Sequence, residues 1–310
     1  MARRSPQTER LVEMIEFLAS VPQREYRLAD LARLVDLDDA TCYPMLSELT
    51  RVGWLVKDRV RKTYRLGPRL IALGAAAQSS LHIATCARPE LDRLARETGL
   101  TTCLILPSSN DLVIAELARP DGDPVPLQAG DHIEFRPPLG SVLVAWAAEY
   151  AVDAWLKRED VFAADPDSGR EVLRAIRARG FAVELAPAST SVLGVLSSRE
   201  FSEAHGSRRA ELLTDRRRPA LPADLLLGEV DPAARYSPMA LSTACFDSVG
   251  TPVAAVSALT LTMSMSGDAV LELGAQVADA GARIAELRRT LRLHRDQFRT
   301  EPDGWDEHAV

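Results

Sequence analysis

The side chains able to do chemistry in this 310-residue chain fall into a scattered set and a clustered one. Cys42, Cys86, Cys103 and Cys245 stand far apart with no C-x-x-C spacing, and five histidines are equally dispersed. Such spacing argues for reduced, buried thiols, not a zinc site or a disulfide framework. His132 follows Asp131, but no nucleophile at a useful spacing completes a triad. No G-x-S-x-G elbow, phosphate-binding G-x-x-x-x-G-K-[ST] loop, G-x-G-x-x-G turn or H-E-x-x-H helix is present. No catalytic residue, metal or cofactor is therefore expected. The clustered set is cationic: Lys57, Arg59, Arg61 and Lys62, followed by Arg65 and Arg69, with only Asp58 opposing. Cations packed this way attract phosphate, which gives affinity and register but not base preference. A solvated hairpin of a plain helical bundle would carry the same run, so charge alone does not decide.

The order of the surrounding elements does decide. Leu11, Ile15 and Leu18, with Met14 beside them, give helical periodicity over residues 7–20, ended by Val21-Pro22. A short helix follows from about Ala29 to Val35, then a tight turn at Asp36–Asp39 rich in capping side chains. A third helix spans about Ala40 to Val52, with Cys42, Leu46, Leu49 and Val52 inward and Gly53 at a left-handed cap. Strands at Trp54–Val56 and Thr63–Leu66 enclose the cationic turn. Two helices joined by a tight turn and then a hairpin make a winged helix-turn-helix, whose second paired helix lies in the major groove.

Net charge is −7 overall but unevenly divided. Residues 1–74 hold 13 Lys and Arg against 10 Asp and Glu, while the remaining 236 hold 24 against 34. A basic head on an acidic body fits a nucleic-acid-binding module joined to a sensor. The basic N-terminus lacks an apolar segment and does not read as a secretory signal. The longest uncharged stretch, Val249 to Gly267, is broken by Gly250 and Pro252 and reads as a buried strand pair, so a cytoplasmic protein with no membrane partner is expected.

In the body, Pro68 to about Cys86 is small and apolar, as in a linker helix that also packs across a dimer. A further helix closes at Gly99, and strands at 101–106 and 112–117 flank a turn, with Val125–Gln128 as a third strand. One apolar helix runs from Val142 to about Leu156, another covers 171–179, and Phe181–Glu184 is the strand after it. Ala240–Asp247 and Pro252–Met263 form a hairpin before a last helix of about Ala269–Arg295. Residues 186–236, with Arg208, Arg209 and Arg216 to Arg218, read as an irregular insert. The class is α+β.

The head resembles the N-terminal domain of IclR-family regulators. The resemblance rests on Leu28-Ala29-Asp30-Leu31-Ala32, Leu46-Ser47-Glu48-Leu49, Gly53-Trp54-Leu55 and Tyr64-Arg65-Leu66-Gly67-Pro68-Arg69-Leu70 with Leu73-Gly74. The recognition helix departs from that pattern: where the family has Ser-Thr and then Arg, this chain has Ala40-Thr41 and Pro44. A proline inside a helix costs roughly 3 kcal/mol, and Asp38 and Asp39 place negative charge near phosphate. Thr41, Tyr43 and Ser47 are the candidates for the groove; Lys57, Arg59, Arg61, Lys62 and Arg65 are those for the backbone.

The body is similar to the family's effector domain through Pro138-Leu139-Gly140, Ala145-Trp146, Arg179-Gly180-Phe181-Ala182-Val183 and Phe246-Asp247 with Gly250-Thr251-Pro252. The resemblance implies a winged helix-turn-helix of three helices plus a β-hairpin wing, joined by a linker helix to a GAF-like α/β effector-binding domain. The expected domains are 1–67, a linker at 68–86, the sensor at 87–295 and a tail at 296–310. In such a fold the ligand, a small organic acid or aromatic effector, sits between the sheet and the helix opening at Gly140-Ser141, whose free N–H groups suit a carboxylate. The implied contacts are Leu139, Gly140, Ser141 and Trp146, with Cys103, Ile105, Ser242, Ala244 and Ser257 from the strands. The partners implied are double-stranded DNA at a roughly palindromic operator and a second copy, as homodimer or tetramer. Two other readings stay open: a ligand-binding or dimerisation protein with a degenerate head, and an enzyme.

Overall fold

A computed structural model describes residues 5–20, 22–80, 82–108, 111–123, 125, 127–185, 226–261 and 263–298. Most of the Arg-rich insert expected over 186–236, including all five arginines noted above, lies outside the described residues, as does the end of the tail. Two compact units divide between Ser80 and Leu81.

The first unit contains α1 (Pro6–Ser20), β1 (Tyr26–Arg27), α2 (Leu28–Leu34), α3 (Asp39–Arg51), β2 (Leu55–Lys57), β3 (Thr63–Leu66) and α4 (Arg69–Ser80). Met14, Phe17 and Leu18 of α1 meet Leu31, Ala32 and Val35 around α2, Cys42, Leu46 and Leu49 of α3, and Leu55 and Tyr64 of the wing. Each large side chain buried there contributes about 1.5–3 kcal/mol. The wing is a three-stranded sheet in the order β1-β3-β2, because Tyr26 and Arg27 pair with Tyr64 and Thr63. That short first strand carries too few residues to announce itself by alternation.

Asp38 starts α3 by accepting the Thr41 amide at 2.8 Å and the Thr41 hydroxyl at 3.0 Å. Pro44 lies inside the helix, which continues through it to Arg51. Its missing N–H takes one potential donor from Ala40, and its ring sits on the exposed face. Gly53, at φ +79°, reverses the chain. Gly67 then passes so near that a Cβ on it would overlap the Gly53 carbonyl oxygen. Its amide donates to Trp54 O at 2.6 Å. Backbone contact, not side-chain packing, sets the Leu66-Gly67-Pro68 exit from the wing.

The second unit runs α5 (His82–Thr98), β4 (Thr101–Ser108), β5 (Asp111–Ala118), β6 (His132–Glu134), α6 (Ser141–Val144), α7 (Glu149–Leu156), α8 (Asp160–Ala164), α9 (Pro166–Arg179) and β7 (Ala182–Leu185). It continues with β8 (Arg235–Tyr236), β9 (Pro238–Phe246), β10 (Pro252–Leu259), β11 (Met265–Ser266) and α10 (Gly267–Phe298). Six strands form an antiparallel sheet in the order β6-β5-β4-β10-β9-β7. Alternation splits its side chains between two cores. Leu104, Leu241, Cys245, Val256 and Ala258 face α5 and α10, whereas Cys103, Ile114, Ala240, Ala244 and Ala255 face α6, α7 and α9.

Three expected elements differ. Val125–Gln128 is not a strand: the Asp123 carboxylate accepts from Val125 N at 3.0 Å and that of Asp131 from Gln128 N at 2.8 Å. With those amides taken locally, β6 pairs with β5 instead, His132 opposite Val113. The helix expected from Val142 to Leu156 is two, because the chain breaks after Val144 where Trp146 turns onto the Phe246 ring, centroids 5.0 Å apart. Trp155 Nε1 donates to Leu139 O at 3.2 Å, which folds α7 back over that segment. Helix α9 starts earlier than residue 171, with Pro166 at its first turn and Asp165 accepting the Ser168 amide at 3.3 Å.

Candidate functional site

In the first unit, burial separates the two faces of α3. Cys42, Met45, Leu46 and Leu49 are inside, while Thr41, Tyr43, Pro44, Ser47, Glu48 and Arg51 are exposed. All three residues expected to face the groove thus share the solvent side, although the Thr41 hydroxyl is held by Asp38. Glu48 and Arg51 pair through a short contact on the same side.

Lys57 ties helix to wing. Its Nζ stands 5.3 Å from the Tyr43 ring centroid and 5.1 Å from that of Tyr64, cation–π distances to α3 and β3 at once. A hydrogen bond with Tyr64 pushes the Lys57 ammonium above its ordinary value, so it stays charged. At the hairpin turn, Asp58 accepts the amides of Val60 and Arg61, each at 2.8 Å, and Lys62 takes φ +57°. Those amides hold the Asp58 carboxyl below its usual range. Arg59, Arg61, Lys62 and Arg65 are exposed, and Val60 at the tip is 90% exposed. Sequence reasoning missed Glu25, whose carboxylate lies 3.7 Å from Arg61 and 3.9 Å from Arg65. Part of the wing's charge is answered within the head.

In the second unit, a small cavity lies between the sheet and α6, with a volume of about 20 Å³, room for about one water. Of the nine residues expected to contact a ligand, Cys103, Ile105, Leu139, Gly140, Ser242 and Ser257 line it. Ser141, Trp146 and Ala244 do not. Ser141 is buried beside the lining with its Oγ unbonded, Trp146 covers Phe246, and Ala244 packs in the core.

Strand register builds the polar side of the cavity. Cys103 on β4 faces Ser257 on β10, which faces Ser242 on β9, and the two serine hydroxyls bond at 2.8 Å. Gly140 sits at φ +79°, where a Cβ would press on the Phe135 ring and Leu112, so its close approach to the sheet depends on glycine. Among the lining residues that were not anticipated, the ionisable one is Glu184, on β7 opposite Ala240 and only 4% exposed. Burial pushes its carboxyl up to about 8 and, with the Glu184 charge as a smaller cause, the Cys103 thiol up to about 12. The available signal was a lone acid among the apolar residues of Phe181–Glu184.

Residues 7–59 match the IclR helix-turn-helix domain model. The glycerol operon regulatory protein of Streptomyces coelicolor is 30% identical over 191 residues, which cover 60% of this chain and 75% of that protein. The chain belongs to the IclR family of transcriptional regulators. Solved structures agree on the fold. An IclR regulator from Alicyclobacillus acidocaldarius superposes with TM-score 0.66 at 19% identity, over 92% of this chain and 100% of the other. An IclR homologue from Microbacterium hydrocarbonoxydans, complexed with 4-hydroxybenzoate, gives 0.58 at 15% identity, over 90% and 99%. This IclR-family chain is accordingly a DNA-binding transcription regulator, with a winged head and a GAF-like body. Among its described residues no helix is long and apolar enough to cross a membrane, and no three His, Cys, Asp or Glu side chains cluster as metal ligands would.

Proposed function

We propose that this regulator reads its operator with Thr41, Tyr43 and Ser47 of α3, and grips phosphates with Lys57, Arg59, Arg61, Lys62 and Arg65. The observation carrying this reading is Lys57 between the Tyr43 and Tyr64 rings, which fixes the wing against the exposed face of α3. A rigid helix and cationic hairpin can then meet one duplex together. Residues 1–67 are the DNA-binding domain and 68–86 the linker, whose exposed Ile71 and Leu73 suit pairing with a second copy. A dimer, or a tetramer of two dimers, would set two recognition helices on a roughly palindromic site.

Residues 87–295 are the sensor, and its ligand is a small organic molecule held in the cavity under α6. The complex of the Microbacterium homologue with 4-hydroxybenzoate supports a sensor of this kind. Ligand changes DNA affinity only through its different affinity for two states of the protein. The cavity binds and does not transform its ligand: its serines bond each other, its thiol is protonated, and no histidine among the described residues lines it. The protein works in the cytoplasm, where its DNA is.

Electrophoretic binding of the full chain to the DNA upstream of its own gene, across a salt series, tests the head. Affinity should fall by about 0.9 log unit per neutralised phosphate for each decade of salt, with preference for that DNA over a scrambled duplex at every salt. Equal affinity for both duplexes would refute operator recognition.

A further inference from the structure

The geometry points to an uncharged, hydroxyl-bearing molecule with an apolar body as the ligand of the cavity, bound by the Glu184 carboxyl and the Ser242–Ser257 hydroxyl pair. This rests on the reading of the cavity as the sensor site.

Three observations carry it. Glu184 is only 4% exposed and borders the cavity, and no group among the described residues pairs with its carboxyl. A buried polar group without a partner costs free energy, so the acid is placed for a partner that arrives from outside the fold. Second, among the described residues the lining holds no Lys, Arg or His, and its only other ionisable group there is the Cys103 thiol. A ligand carboxylate would enter an apolar space with no cation among the described residues to meet it, and an ammonium would have to ionise a carboxyl that burial keeps protonated. The N–H groups at Gly140–Ser141 do not repair this, since α6 is a single turn of four residues. Third, register brings the polar groups to one side. Glu184 pairs with Ala240 and Ala182 with Ser242, so the carboxyl and the serine pair are diagonal neighbours on one face of the sheet. A protonated carboxyl both donates and accepts, as does each serine hydroxyl. That set matches an alcohol or phenol, whose hydroxyl also does both. The rest of the lining, such as Ile105, Ile114 and Leu139, is apolar and suits a hydrocarbon body.

The test uses three probes of one shape and three charges, titrated calorimetrically into the full chain at pH 7: benzyl alcohol, benzoate and benzylamine. Benzyl alcohol should bind at least about tenfold tighter than either ion, a difference of about 1.4 kcal/mol. Glu184→Gln, which keeps a neutral donor and acceptor, should retain the alcohol to within about fivefold. Ala255→Leu, or the milder Ala240→Val if the first lowers the melting temperature, should abolish binding by filling the cavity. Benzoate or benzylamine binding as tightly as the alcohol, and lost on filling the cavity, would overturn the ligand class while leaving the site in place. Binding that survives both filled variants would place the ligand elsewhere and overturn the site. Failure of all three probes to bind would overturn the class as well, because the uncharged member is required to bind.

Discussion

Replacing Glu184 with glutamine should flatten the dependence of this protein's stability on pH. Burial raises the carboxyl from 4.5 to about 8. Below pH 4.5 the folded and unfolded chains both hold the proton, and the group contributes nothing. As pH rises, the unfolded chain releases its proton while the folded chain keeps it. Stability is therefore lost progressively, until the folded carboxyl also ionises near 8. At about 1.4 kcal/mol per pH unit the full interval amounts to roughly 5 kcal/mol, and the part between pH 5 and pH 7 to about 2–3 kcal/mol. Cys103, the other ionisable group among the described lining residues, stays neutral throughout because its thiol lies at about 12.

Urea unfolding followed by circular dichroism at pH 5, 6 and 7 measures this directly. The native protein should lose about 2–3 kcal/mol more than Glu184→Gln over that interval, and the amide variant should be the more stable of the two at the upper end. Parallel profiles would refute the reasoning, since they would mean that the folded chain ionises Glu184 near its ordinary value. The carboxyl would then have a solvent path or a cationic partner.

Other perturbations test the head and the frame of the cavity. Arg61→Ala with Lys62→Ala should weaken binding to all duplexes alike and reduce the salt slope by about 1.8; a change in sequence preference alone would contradict phosphate contact. Gly67→Ala should destabilise the first unit by about 1–3 kcal/mol by forcing a methyl onto the Gly53 carbonyl, read as a lower urea midpoint with loss of DNA binding; an unchanged midpoint would show that the approach is not tight. Arg179 donates to the carbonyls of Phe181, Gly228 and Leu227 at 2.7, 2.8 and 2.7 Å. Arg179→Met should cost about 3 kcal/mol or more by stranding them, measured by the same unfolding, and no loss would mean that water replaces the guanidinium.

Particular residues show what sequence could and could not reveal. Leu46 and Leu49 on one side of α3 against Tyr43 and Ser47 on the other made the recognition helix legible, because helical period and burial agree there. The β9–β10 hairpin was equally plain, its apolar runs separated by a turn at Gly250. Elements whose amides are claimed by side chains were not legible. Val125 and Leu127 have strand-like composition, but Asp123 and Asp131 take the local donors. Val142 through Leu156 looks uniformly helical, and only contact between Trp146 and Phe246, a hundred residues apart, accounts for the break. Glu184 and Glu25 were hidden for a related reason. Their meaning depends on the residues opposite them, the cavity for one and Arg61 and Arg65 for the other, and no local pattern encodes that.

The small volume of the cavity bears on how the sensor can signal. Space of about 20 Å³ admits about one water, whereas a cavity that holds benzene is roughly 150 Å³. An organic ligand cannot enter without displacing Leu139, Val142 or Leu143, the residues that lead into and form α6, from the strands beneath. Trp155 bonds the Leu139 carbonyl and α7 packs against α9, so movement of α6 is resisted by the core that holds those helices. Close packing of this kind favours two discrete arrangements over gradual deformation. On this geometry an organic ligand binds only an open arrangement in which α6 has moved off the strands. If the open state occupies a fraction f of molecules, the apparent dissociation constant is the intrinsic one divided by f. Small-to-large substitution at Ala255 should then deepen closure, whereas Leu143→Ala should ease opening and tighten ligand binding even as it lowers stability. Weaker ligand binding in Leu143→Ala, with the fold intact, would mean that the side chain is a contact surface and not a barrier.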